Sequence, residues 1–273
     1  MKRLINQRPS RAAQVLLGIL PFALLLLAYL WASELRLAAN PNDKLLPAFS
    51  SIGEAIWSMA FEADKRSGNY LLWVDTLASL QRLGLGVLLS ALMGLVIGVA
   101  NGAVPLFRAG LSPLVMALSL IPPMAILPVL FIVFGLGEVS KVALITIGIA
   151  PFLIRDMQQR VLELPEEQLI KAQTLGASSW QLILRVILPQ VLPRLLDAVR
   201  LSLGSAWLFL IAAEAIAATE GLGYRIFLVR RYLSMDVILP YVLWITLLAF
   251  LTDYLLRVLT RRSFPWYYNG GKP

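Results

Sequence analysis

The sequence predicts an all-α protein that crosses a membrane six times, and three observations carry that prediction. Its 273 residues are 59% hydrophobic and only 15% charged, far from the roughly 45–50% apolar and about 25% charged of soluble domains. Mean hydropathy is +0.76. Four uncharged runs reach sixteen residues or more, against the about 20 apolar residues that a spanning helix needs. Cysteine and histidine are absent, which removes any disulfide framework, thiolate or imidazole metal ligand, and the commonest general base. No cofactor and no catalytic residue is expected. A net charge of +8 suits nucleic acid only if Lys and Arg cluster on a soluble face. Here they lie between apolar runs, so no nucleic acid is expected and the charge reads as topology.

The first run, Ala12 to Ser33, has twenty-two uncharged residues behind Lys2, Arg3, Arg8 and Arg11. It exceeds the about 7–15 residues of a secretory signal core and reads as the first span. In the loop from Glu34 to Asp75, where acids outnumber bases, Ser51 and Glu54 have the spacing of a capping box. Ile52, Ala55, Ile56, Met59 and Ala60 share a helical face, so a short amphipathic helix is predicted there, a packing lid or a ligand-binding element.

Leu83 to Phe107 and Ala109 to Gly137 are separated by Arg108 alone and read as two adjacent antiparallel spans. Gly94, Gly98 and Gly102 give the first a smooth face for close helix approach, within the subunit or across a dimer seam. Pro122 and Pro123 interrupt the second, with Pro128 close behind. Backbone carbonyls freed at membrane depth must be buried or line a cavity. A kinked helix beside a translocation path, walled by Met116 and Met124, therefore stands next to a merely structural kink.

Val142 to Ile154 is thirteen residues, which at a rise of about 1.5 Å per residue is too short for about 30 Å of hydrocarbon. It spans only if Glu138, Lys141, Arg155 and Asp156 lie at its rims. Leu201 to Thr219 carries Glu214, and Val237 to Leu256 carries Asp253. An ionisable group at depth costs about 2.5–3.5 kcal/mol, so Glu214 should face the interior. It belongs either to the path or gate, or to the outer end, hydrogen-bonding the Gly221 to Tyr224 turn. Asp253 and Arg257 are spaced for an i, i+4 ion pair at the inner end.

Six spans put both termini on one side. The N-terminal tail, Arg108, the segment 155–200 and the tail after 256 hold fifteen of the twenty-four Lys and Arg residues, which makes them cytoplasmic by the positive-inside rule. The loop from Glu220 to Asp236, on the other side, is an exception with Arg225, Arg230 and Arg231. The chain divides into a tail and first span (1–33), an outer loop (34–75), a five-span core (76–264) and a cytoplasmic tail (265–273).

Within the inner segment Pro165 fits the first turn of a helix, Glu166 and Glu167 complement its dipole, and Gly176 fits the left-handed stop after about eleven residues. Ser178 or Ser179 then caps a second helix that begins near Trp180 and runs to a break at Leu188-Pro189. A helix with a defined start and stop on the cytoplasmic face is a docking lever or a surface linker.

Ala172, Gly176, Val186, Leu188 and Pro189 resemble the cytoplasmic signature of ABC importer permeases, an E-A-A triplet, three residues, Gly, nine residues and I-x-L-P. The triplet here reads Ile170-Lys171-Ala172, without the acidic first residue. Thr76 to Arg82 followed by Gly86, the Pro122-Pro123 pair, Leu175 to Ser178, and Ala213-Glu214 with Gly221 to Tyr224 are similar to the permease branch for nitrate, sulfonates, taurine and bicarbonate. The resemblance implies a type I importer bundle in the bacterial cytoplasmic membrane, carrying a small polar solute of that kind or one like urea or guanidine. It implies a second permease copy, giving a homodimer, two cytoplasmic ABC ATPase subunits and an extracytoplasmic solute-binding protein. ATPase coupling falls to Glu166, Glu167, Ala172, Leu175, Gly176, Ala177, Leu188 and Pro189, and the path or gate to Met116, Pro122, Pro123, Met124 and Glu214.

No phosphate-cradling G-x-x-x-x-G-K-[ST] loop occurs, so ATP hydrolysis requires a partner. A self-sufficient secondary transporter or channel needs coupling-ion ligands and usually an internal repeat, of which there is none. An intramembrane enzyme lacks paired carboxylates as well as His and Cys. No intramembrane cluster of Arg or Lys marks an anion site, and a carboxylate-bearing path suits a cation.

Overall fold

The computed structural model describes residues 9–40, 43–65 and 67–269, and among them the chain is helical without a strand. Lys2, Arg3 and Arg8 of the expected tail, and residues 270–273, lie outside the described residues. Among the described residues four helices are long and apolar enough to cross a membrane, or five if a bent pair counts as one span.

Helix α1 (Arg11–Ala39) is capped by the Ser10 side chain, which accepts from the Ala13 N–H. Near its far end Tyr29 donates to the Pro47 carbonyl at 2.7 Å and Ser33 to the Leu46 carbonyl at 3.0 Å. These bonds fix the chain just before α2 (Phe49–Phe61), which starts from Ala48 with no side-chain cap. The expected Ser51–Glu54 capping box is therefore not formed, because the helix is already under way at Ser51. The expected apolar face is present, with Ile52 and Ala60 buried as α2 lies on the last long helix, α11 (Met235–Ser263).

The bundle is organised by α3 (Leu71–Ala103) and α6 (Glu138–Leu162), which run in parallel and make the most extensive contact in the fold. Gly86, Gly94, Gly98 and Gly102 of α3 meet Ile145, Leu153, Met157 and Val161 of α6 in that order. The glycine repeat is thus a seam within the chain, where absent side chains let two backbones approach. α6 is 25 residues long, about 37 Å at the helical rise, and contains all four charges expected at its rims. Leu144, Ile145, Leu153 and Met157 are fully buried, since α3, α9, α5 and α4 surround it.

The run from Ala109 to Gly137 is not one kinked helix. α4 (Pro105–Ser119) and α5 (Pro123–Phe134) meet at 98°, with Pro122 preceding α5 and Pro123 in its first turn. Pro122 holds extended backbone at ψ 119, the geometry that the residue before a proline prefers, and this separates the helices. Neither piece, at 15 and 12 residues, crosses about 30 Å alone.

The expected break at Leu188-Pro189 is also absent. After α7 (Glu166–Thr174), the chain forms α8 (Ser179–Leu182), a π turn at Ile183–Ile187 and α9 (Leu188–Ala217) as one continuous stretch. In the π turn the Leu188 N–H reaches back to the Ile183 carbonyl. The bonding register shifts there, so the missing N–H and the ring of Pro189 are accommodated in the wider turn instead of ending the helix. α10 (Leu222–Arg230), α11 and α12 (Pro265–Asn269) complete the chain. Asp253 of α11 pairs with Arg257 at 3.3 Å, as its spacing predicts, and also with Arg200 of α9 at 2.9 Å.

Candidate functional site

Two sequence motifs, Thr76 to Arg82 and Gly221 to Tyr224, meet at one end of the bundle. Asp75, Ser79 and Arg82 lie four and three residues apart, so they share one face of α3. Asp75 accepts from the Gly221 N–H at 2.9 Å, from Arg225 Nε at 2.8 Å and from the Tyr241 hydroxyl at 3.0 Å. Ser79 donates to Glu214 at 2.8 Å and accepts from the Leu222 N–H at 2.8 Å. Arg82 donates to Glu214 at 2.8 Å and to the Glu220 carbonyl at 2.8 Å, and its guanidinium also pairs with Glu138. Glu138 is held in turn by Lys141 at 2.7 Å.

The Gly223 N–H closes the set on Glu214 at 2.8 Å. Three successive N–H groups at the start of α10, which a helix leaves without internal partners, are therefore satisfied by side chains from elsewhere. Gly221 has φ +124, and a Cβ there would lie 2.6 Å from the Glu214 carboxylate, so only glycine makes this turn. Asp75 and Glu214 are wholly buried, yet each has a guanidinium and further donors. Buried charge is stable only on those terms. These carboxylates brace α3, α9, α10 and α11, and Arg82 ties in α6 through Glu138. Among the described residues no acidic group of the size that holds a metal occurs.

Further along the bundle, a cavity of about 720 Å³ opens between α4, α5, α6 and α9. Met116 and Pro123, two of the residues expected on a path, line it with Ser112, Ser119, Arg155 and Phe209. Pro122, Met124 and Glu214 are not part of its wall.

The opposite end carries α7. Glu166 and Glu167 occupy its first turn, and Pro165 precedes it. Its end has the Schellman form: the Ala177 N–H donates to the Ala172 carbonyl at 3.0 Å, and Gly176 has φ +85. Ser178 then caps α8 in a capping box with Gln181. The helix is tied down on one side, where Leu164 and Leu169 pack with Ile183, Ile187 and Val191 and Gln190 donates to Gln168 at 3.1 Å. Arg160 and Arg194 both reach Glu163 at 3.2 Å. Partial desolvation pushes the Glu163 carboxyl up, but the Arg160 and Gln159 hydrogen bonds and the Arg194 charge outweigh it and hold it below the usual range. On the free side Ile170, Leu175 and Trp180 are 55%, 88% and 68% exposed. Leu188 and Pro189 sit inside the long helix that follows and are half-buried.

Residues 86–264 match the family described as binding-protein-dependent transport system inner membrane component. The chain belongs to this family. Among relatives of these transport permeases, the taurine transport system permease protein TauC of Escherichia coli is 34% identical over 97% of this chain and 94% of its own length. The putative aliphatic sulfonates transport permease protein SsuC of Bacillus subtilis is 33% identical over 69% of this chain and 68% of its own. The nitrate import permease protein NrtB of Synechococcus elongatus is 31% identical over 57% and 56%. The same fold occurs in a chain of the inward-facing MetNI methionine ABC transporter, at a TM-score of 0.62 and 22% identity over 70% of this chain and 96% of that one. A chain of a bacterial alginate ABC transporter, solved with a periplasmic protein holding alginate pentasaccharide, matches at 0.61 and 15% over 93% and 98%.

The family fixes a multi-pass membrane permease that takes part in transport. Sequence reasoning missed Asp75, Arg225 and Tyr241 in the brace and Arg155 on the cavity wall. The i, i+4, i+7 spacing of Asp75, Ser79 and Arg82 was the available signal for the brace.

Proposed function

We propose that this chain is the permease subunit of an ATP-driven importer for a small solute of the taurine, sulfonate or nitrate type. In this reading α6 is a span and α4 with α5 is another, making six, with both termini in the cytoplasm. Two copies enclose the path, two cytoplasmic ATPases drive it, and an extracytoplasmic binding protein delivers the solute. The names of the relatives support the solute class, and the cavity of about 720 Å³ supports a path along α4, α5, α6 and α9.

One observation carries the coupling role. α7 is fixed to α6 and α9 on one face while Ile170, Leu175 and Trp180 stand exposed on a polar helix end. Apolar side chains held in water by a rigid mount form a docking surface for an ATPase groove. Gly176 sets the angle between α7 and α8, and the left-handed backbone costs a residue with a Cβ about 1–2 kcal/mol. Space around Gly176 is open, so Gly176→Val should insert and fold while turning α7 against Trp180. Uptake and binding-protein-stimulated ATP hydrolysis in the reconstituted complex should both fall at least tenfold. Full uptake by a normally inserted Gly176→Val protein sinks the coupling role and favours a self-sufficient transporter.

Orientation has a separate test, made simple by the absence of native cysteine. Ser58→Cys, exposed on α2, should react with an impermeant thiol reagent in intact cells. Ser179→Cys should react only after the membrane is opened, and labelling in intact cells reverses the orientation.

A further inference from the structure

The cavity wall contains one cation, and among the described residues it has no ion-pair partner. Arg155 of α6 donates from Nη1 to the Ser119 hydroxyl at 3.0 Å, and among the described residues no carboxylate lies within ion-pair distance of it. The other charged residue of the wall, Asp156, is answered by Arg160 at 3.4 Å. Of the remaining polar wall, the Ser119 hydroxyl donates to the Met116 carbonyl at 2.8 Å, and one amide is left to donate. Ser112 donates to Gln158 Oε1 at 2.9 Å, which occupies the acceptor of that amide and leaves its NH2 group, among the described residues, without a protein partner.

We infer that Arg155, with the Gln158 amide beside it, is an anion-binding station on the transport path, taking the sulfonate or nitrate oxygens of the solute. Ser119, whose hydroxyl already donates to the Met116 carbonyl, stands outside the station. The inference rests on the solute class proposed above and deepens it. A guanidinium presents several N–H donors in one plane, matched to a planar or tetrahedral oxyanion. In a concave wall bounded by Phe209 and Met116 its field is concentrated on the cavity. The site is open on one side and offers a single cation, which suits a station that must release its ligand as readily as it takes it. It also argues against a guanidine-like cation, which the same charge repels.

The test uses cells carrying the complete transporter and radiolabelled taurine, ethanesulfonate and nitrate. Wild type should import at least one of the three. For that anion Arg155→Gln should lower uptake at least tenfold, and Arg155→Lys should keep a third or more. ATP hydrolysis by the purified Arg155→Gln complex, stimulated by loaded binding protein, should stay within twofold, since α7 and its docking face are untouched. Ser119→Ala removes the Arg155 to Ser119 contact but keeps the charge, and its uptake should stay within twofold. Unchanged uptake by Arg155→Gln overturns the inference. An equal loss in Ser119→Ala, or a parallel loss of ATP hydrolysis in Arg155→Gln, makes Arg155 a brace and overturns it as well. A wild type that imports none of the three anions while Gly176→Val still abolishes stimulation removes the solute class, and this station with it, but leaves the coupling role standing.

Discussion

Arg82→Ala should cost this protein about 3–5 kcal/mol, the penalty of leaving a buried charge without its partner. The side chain of Arg82 is 4% exposed and that of Glu214 is 0% exposed. Removing the guanidinium leaves Glu214 with the Ser79 hydroxyl and the Gly223 N–H but no cation, and strips the Glu220 carbonyl of its donor. Glu138 suffers less, because Lys141 remains at 2.7 Å. The loss should appear as a lowered unfolding midpoint in detergent, with α10 opening first because its first turn hangs on this set. Arg82→Met combined with Glu214→Gln should recover much of the loss, since both charges leave together. A single substitution no worse than the double one would mean that the brace contributes little and that Arg82 faces water in the assembled transporter.

That brace also marks the limit of reading the sequence alone. The long apolar helices α1, α3 and α11 were legible because a run of uncharged residues is a local signal. α6 was legible only as a fragment: its ends carry Glu138, Lys141, Asp156 and Arg160, whose partners cancel them in the fold, and no partner is visible at a distance along the chain. Arg82 and Glu214 were each visible, as part of a motif and as a lone intramembrane acid, but their pairing spans more than half of the apolar core. The turn contact of Glu214 was foreseen because Gly221 to Tyr224 lies next to it. Pro122-Pro123 announced an interruption and not its angle of 98°, because the turn is set by how α5 packs on α6. Pro189 was misread as a stop, since a π turn is a feature of hydrogen-bond register and leaves no compositional trace. The stop at Gly176 was read correctly because its geometry depends only on neighbours. Arg155 looked like a rim charge, and only the cavity beside it changes its meaning.

Gly98→Ala and Gly84→Ala, the same methyl added twice to one helix, should change stability in opposite directions. Both residues lie inside α3, where alanine is intrinsically favoured over glycine by about 0.5–1 kcal/mol. At Gly84, exposed on the outside of the bundle, a Cβ meets nothing within 4 Å, so that preference should appear as a small gain. At Gly98 the new carbon would lie 2.6 Å from Met157 Cβ and 2.8 Å from the Ile154 carbonyl oxygen. A flexible side chain could move aside, but a carbonyl inside α6 and the first carbon of Met157 cannot move without the helix. The two backbones must separate, and the contacts at Gly94 and Gly102 on the same seam loosen with them. Overpacking of this kind costs about 1–3 kcal/mol, which exceeds the helical preference over most of that range. Unfolding midpoints of the two variants in detergent should therefore lie on either side of the wild type, with Gly98→Ala the lower. Equal shifts in the same direction would show that intrinsic helix preference dominates and that the α3–α6 seam is looser than 2.6 Å implies.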